Sequence, residues 1–193
     1  MAETKRFNEV IQTAAYLINK KGFKSTSMSD IAKELGIFKA SLYHHISGKQ
    51  ELLFHVLNKS LKALQDELDL VLVNIRDYEF EELMTKAIAA HLKANYSNPS
   101  SRTMFRTQLD HLTEEYRVLI QEQLDQYLNS WLTIIKQGER QGILNLSFSP
   151  KIYIYFLQAT VNNAYEWYRE DGPLSLDNIA EMICKLYLQG MVN

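Results

Sequence analysis

Leu53, Leu57, Leu61, Leu64, Leu68, Val71 and Ile75 hold one helix face over about six turns, and no glycine or proline interrupts the chain from residue 49 to residue 98. A stripe with this three-and-four spacing cannot alternate as a strand, so it must lie against other helices. The rest of the chain agrees. Its three prolines (Pro99, Pro150, Pro173) and seven glycines leave long stretches free to be helical, and neither an alternating strand pattern nor an internal repeat is present. The fold class expected is all-α, with about nine helices.

Before the long stripe, three shorter patterns stand close together. Phe7, Val10, Ile11, Ala14, Ala15, Leu17 and Ile18 share a face that stops at Lys20-Lys21-Gly22, a basic last turn followed by a glycine cap. Ser27 with Asp30 supplies a side-chain cap and a first-turn carboxylate for a second helix carrying Met28, Ile31, Ala32 and Leu35 and ending at Gly36. A third fits Lys39 to His45, and Ser47 with Gln50 forms a capping box that opens the long fourth helix. Further helices fit 79–97, 101–110, 113–138, 150–170 and 175–190, with Gly138 and Gly142 ending one pattern, Ser149-Pro150 opening the next, and Gly172-Pro173 with Ser175 separating the last two.

Charge is unevenly placed. Residues 1–50 carry eight Lys/Arg against four Asp/Glu, whereas the remainder carries thirteen against nineteen, so a net of −2 conceals a basic first quarter. Two short helices joined by a glycine turn inside a basic three-helix unit form the outline of a helix-turn-helix DNA reader.

The local sequence goes further. Gly22-Phe23, Thr26-Ser27-Met28, Asp30-Ile31-Ala32, Leu35-Gly36-Ile37, Lys39, Ser41-Leu42-Tyr43-His44-His45, Lys49 and Leu52 together resemble, without insertion, the N-terminal signature of the TetR family of transcriptional regulators. The resemblance implies a DNA-binding domain over 1–47, whose third helix enters the major groove of double-stranded DNA, and an effector-binding and dimerisation domain over 48–193. Two residues depart from the family pattern: Phe38 stands where Ser or Thr is usual, and Ile46 where Phe is usual. On this reading Thr26 and Ser27 offer donors to phosphate, Lys39, Tyr43, His44 and Lys49 extend the clamp, and Phe38, Lys39, Ala40, Ser41 and His44 face the bases.

Readers of this kind work as two-fold dimers on palindromic operators, and in the family the last two long helices form the interface. The apolar stretch 150–190 is the expected homodimer surface. The segment from Asn162 through Tyr165, Trp167, Tyr168 and Arg169 to Gly172 resembles a stretch of TetR-type regulators of fatty-acid, sterol and acyl-CoA catabolism. That likeness implies a small hydrophobic effector, an acyl-CoA or fatty acid, which releases a repressor from its operator. The candidate effector residues are Tyr96, Arg102, Phe105, Arg106, Trp131, Asn162, Tyr165, Trp167 and Arg169, the arginines being the cations a CoA phosphate needs. Arg169, beside Glu166, Glu170 and Asp171, equally fits an exposed ion pair.

An enzyme is not expected: the chain has no Gly-rich phosphate loop, Gly-x-Ser-x-Gly, Cys-x-x-Cys or His-Glu-x-x-His. No histidine follows a glutamate at the three-residue spacing of di-iron bundles, and His111 with Glu115 is an isolated pair, so neither a metal nor another cofactor is expected. The lone Cys184, the lack of a signal-like N-terminus and the lack of a run of about 18 uncharged apolar residues point to a cytoplasmic protein with no membrane partner. The competing class is a helical ligand-binding or adaptor protein without sequence-specific DNA binding.

Overall fold

The computed structural model describes residues 2–97 and 108–189, and these residues form helices and turns without a strand. Eight α-helices lie among them: α1 (Ala2–Lys21), α2 (Met28–Glu34), α3 (Lys39–Tyr43), α4 (Lys49–Leu72), α5 (Phe80–Ser97), α6 (Glu114–Arg140), α7 (Pro150–Asn163) and α8 (Leu176–Gln189). Single 3-10 turns cover Leu109–His111 and Ala164–Glu166. Of the helix expected at 101–110, residues 101–107 lie outside the described residues.

The boundaries have local causes. Gly22 takes φ 82° and returns its N–H to the Ile18 carbonyl at 2.8 Å, closing α1. At the end of α2, Gly36 at φ 64° lets Ile37 N–H reach the Ala32 carbonyl and its own N–H reach that of Lys33, the paired bonds of a Schellman turn. Three expectations shift. The carboxylate that closes the box before α4 is Glu51, which accepts from the Ser47 N–H and hydroxyl at 2.6 and 2.5 Å, because Gln50 is engaged elsewhere. Gly138 does not end α6: the helix runs on to Arg140, and a Cβ at 138 would meet the Phe80 ring at 2.6 Å, so this glycine serves close packing. The helix from Pro150 stops at Asn163 instead of 170, where the Asn163 amide donates back to the Ala159 carbonyl at 2.5 Å and the chain tightens into the 3-10 turn.

The described residues divide into two compact units, 2–61 with 108–123 and 62–97 with 124–189. In the first, Val10, Ala14 and Ile18 of α1, Ile31 of α2, Leu42 of α3, and Leu53 and Leu57 of α4 are buried together with Ile120. Each large aliphatic side chain so buried contributes about 1.5–3 kcal/mol. A second face of α4 carries Gln50, Phe54 and Asn58, four residues apart. The Gln50 amide donates to the His111 carbonyl at 2.8 Å and accepts from Thr113 N–H at 3.0 Å. Phe54 stacks on Tyr116 with centroids 4.9 Å apart, and Asn58 accepts from Gln123 at 2.6 Å. Three successive turns of α4 thus hold three points of the segment 111–123.

In the second unit α5 packs chiefly on α8 and also on α7. Phe80, Leu83, Met84, Ala87 and Ile88 of α5, Trp131, Ile134 and Ile135 of α6, Ile154 and Leu157 of α7, and Ile179, Ala180 and Cys184 of α8 are all buried and supply the apolar core of this unit. Among the described residues no helix is long and apolar enough to cross a membrane.

Candidate DNA-reading face and effector core

The reading face is built on α3, which carries no carboxylate. Leu42 anchors it by full burial, which turns Lys39, Ala40, Tyr43 and His44 outward and leaves Ser41 half-buried. Four residues apart on one face, Lys39 places its ammonium 5.8 Å from the Tyr43 ring centroid, a cation-π approach that steers the charge without neutralising it. Phe38, at the N-cap with extended backbone, is 84% exposed and makes no side-chain cap bond. His45 is half-buried, and Ile46 fills the core position expected of it.

The other expected contacts divide. Ser27 is exposed and caps α2: its hydroxyl accepts from Asp30 N–H at 3.1 Å, while the Asp30 carboxylate accepts from the Ser27 N–H and hydroxyl. Those Ser27 bonds, first the hydroxyl, and then Lys21 at 3.1 Å hold the Asp30 carboxyl well below the usual range. Thr26 points inward. It is 1% exposed and its hydroxyl donates to the Gly22 and Leu17 carbonyls at 2.9 and 3.3 Å, so it stitches the turn after α1 and has no hydroxyl proton left for phosphate. Lys49 is also drawn in: its ammonium lies 4.1 Å from the Phe23 ring centroid and 3.4 Å from the Lys24 carbonyl, and the accompanying desolvation lowers its pKa. His111 stacks on the same Phe23 ring with centroids 5.5 Å apart.

The second unit holds a polar cluster centred on a buried histidine. His91, 2% exposed on α5, pairs its Nδ1 with the Tyr127 hydroxyl at 2.6 Å and its Nε2 with Asn162 Oδ1 at 2.8 Å. Because Asn162 Oδ1 only accepts, His91 Nε2 carries the proton and Nδ1 accepts from Tyr127. Asn95 Nδ2 donates to the same oxygen at 3.0 Å. Burial pushes the imidazole down to about 4 against a partial lift from Asn162, so the ring is neutral at pH 7. Burial likewise raises the Tyr127 phenol, an effect the neighbouring Trp131 indole partly offsets. Trp131 is fully buried, and its indole nitrogen makes no hydrogen bond of acceptable geometry.

Of the expected effector residues, Asn162 and Trp131 therefore come together around His91, a residue outside the expected set. Tyr96 lines a narrow seam of about 10 Å³ with Asn95, Val161 and Tyr168, stacks edge-on to Tyr168 and donates to Glu170 at 3.1 Å. Trp167 is 57% exposed, and Arg169 is an exposed ion pair with Asp171 at 3.2 Å. Arg102, Phe105 and Arg106 lie outside the described residues, as does the side chain of Tyr165. A wider pocket of about 410 Å³, lined by Glu79, Phe80, Glu81, Ile143, Leu188 and Gln189, contains none of the expected residues. On α7 and α8, Ile152, Tyr155, Phe156, Met182 and Leu186 are exposed, an apolar surface within the expected dimer stretch.

Comparison with known proteins places these features. Residues 10–56 match the family model described as bacterial regulatory proteins of the tetR family, and residues 77–191 match the tetracyclin repressor-like C-terminal domain. The HTH-type transcriptional repressor KstR2 of Rhodococcus jostii is 25% identical over 191 residues, covering 97% of this chain and 92% of the relative. Among solved structures, the TetR family regulator PfmR of Thermus thermophilus superposes with a TM-score of 0.82 at 24% identity, over 95% of this chain and 99% of its own. AibR, solved in complex with isovaleryl coenzyme A and operator DNA, superposes with a TM-score of 0.76 at 24% identity, over 97% of this chain and 98% of its own.

Proposed function

Since the chain belongs to the TetR family, we propose that it is a cytoplasmic repressor whose α3 reads a palindromic operator and whose second unit releases DNA on binding an acyl-CoA or fatty acid. It is a DNA-binding transcriptional regulator and not an enzyme. The observation that carries the DNA assignment is α3 itself, a carboxylate-free helix anchored by one buried leucine and displaying Lys39, Tyr43 and His44 to solvent. Lys39 and Tyr43 contact phosphate, and Phe38, Lys39, Ala40, Ser41 and His44 face the base edges. Ser27 presents the start of α2. Thr26 and Lys49 act through the turn they brace, which fixes the approach of α3. On this reading residues 1–47 supply the contacts and 48–193 the effector site and dimer surface, although packing of the first unit also draws on α4 and residues 108–123.

The effector class rests on the relatives: one neighbour is named for its complex with isovaleryl coenzyme A and operator DNA. In this chain the buried indole N–H of Trp131, which makes no hydrogen bond, is a donor suited to a thioester or carboxyl oxygen, and the apolar side chains around it are suited to an acyl chain. The exposed apolar surface of α7 and α8 serves the homodimer.

Fluorescence anisotropy of the full chain against duplexes selected from random DNA, beside a scrambled duplex and over a salt series, tests the first assignment. Selective binding that weakens with salt is expected, and equal weak binding to both duplexes would sink it. Calorimetry with acyl-CoAs of increasing chain length tests the second: a saturable heat accompanied by loss of operator binding is expected, and no heat at any length removes the acyl-CoA assignment while leaving DNA reading intact.

A further inference from the structure

The structure assigns Phe38 a specificity role: its phenyl ring selects a thymine in each half-site by contact with the 5-methyl group in the major groove. This inference rests on the DNA-reading assignment of α3. Among the described residues Phe38 is the most exposed large apolar side chain, at 84%. It holds the N-cap position with φ −70° and ψ 142°, the extended geometry in which Ser, Thr, Asn or Asp closes a free N–H of the first turn. The phenyl ring closes none. The residue therefore gives up a cap and leaves an aromatic ring in water, two costs to the isolated protein that a contact made elsewhere must offset.

Its surroundings indicate which contact. The exposed apolar residues Ile152, Tyr155, Phe156, Met182 and Leu186 belong to α7 and α8 of the second unit, whereas Phe38 belongs to the first, at the head of α3. Around it in sequence are Lys39, Ala40, Tyr43 and His44, and α3 has no carboxylate. An apolar protein partner would have to bury the Lys39 ammonium as well. A major groove meets both needs, with phosphates for the ammonium and, on the base edges, a single apolar feature, the thymine methyl.

The full-length protein and its Phe38→Ser variant are to be compared on duplexes selected by the wild type, with single thymines replaced by deoxyuridine, which removes only the methyl group. At one thymine per half-site the replacement should weaken wild-type binding roughly fourfold, the effect of one buried methyl-sized group. Phe38→Ser should bind thymine and deoxyuridine duplexes equally, with an unchanged salt dependence and a Tm at or above that of the wild type, because serine restores the cap. The inference is overturned if wild-type affinity is unchanged by deoxyuridine at every thymine, the result a ring wedged between base steps gives, or if Phe38→Ser keeps the discrimination. Absence of selective binding by the wild type to any duplex removes the DNA-reading assignment, and this inference with it.

Discussion

In the first unit the polar side chains of α3 face solvent around one buried leucine, whereas in the second unit His91 and Tyr127 are turned into an apolar core and reach the surface only through the exposed Asn162. The contrast fits the two ligands proposed for these units. Duplex DNA is a rigid partner with a repeating charge, so it can be met by residues displayed at fixed helical positions. The hydrophobic effector proposed for the second unit would have to be enclosed, so its site would depend on how the helices of that unit pack. The first kind of site should fail by losing affinity, the second by losing stability.

The largest effect expected is on the enclosed side. Trp131→Ala should cost about 3–5 kcal/mol in denaturant unfolding, because a fully buried indole leaves a cavity that the neighbouring helices cannot fill. A loss below about 1 kcal/mol would mean that the core is already loose there. Next is the pH response. His91 is held at about 4 in the fold against 6.5 when exposed, so between those values the unfolded chain binds the extra proton. Its contribution is present in full above about pH 6.5 and falls as pH drops to about 4, by roughly 3 kcal/mol in all. Stability measured against pH should show this slope, and His91→Gln should flatten it; an unchanged slope in the variant would assign it to other groups.

On the displayed side the effects are smaller and of another kind. Lys39→Ala should weaken operator binding by about 1–3 kcal/mol with little change in Tm, and should lower the salt slope by about one if the lysine meets phosphate. An unchanged slope with relaxed sequence preference would assign it to a base instead. The smallest effect is that of Ser27→Ala, about 1 kcal/mol of stability from the lost cap of α2. Should that variant lose operator binding far beyond its loss of stability, Ser27 acts on DNA directly and the division between the two units blurs.

The same division governs what could be read from sequence. Helix stops at Gly22 and Gly36, the Ser27 cap and the burial of Leu42 and Ile46 follow from local rules, and with them the outward face of α3. Thr26 escaped those rules because its partner carbonyls lie on the preceding helix and turn, so a residue type suited to phosphate was found inside. In the second unit, His91 and Tyr127 are 36 residues apart and His91 and Asn162 are 71 apart, and only the packing of α5, α6 and α7 brings them together. An isolated histidine on an apolar stretch of α5 was the one available signal.

The three-point hold of α4 on residues 111–123 bears on how such a protein can be recombined. Gln50, Phe54 and Asn58 precede their partners by more than fifty residues, yet each pair belongs to the DNA-reading unit. A reader grafted from a relative with its junction at residue 47 would keep the host's pairs, whereas a junction after residue 61 would bring foreign side chains to positions 50, 54 and 58 and leave the host's His111, Tyr116 and Gln123 mismatched. The first unit taken whole, α4 included, is therefore not a cassette closed by a single cut, and two stretches far apart in the gene have to be inherited as a matched set.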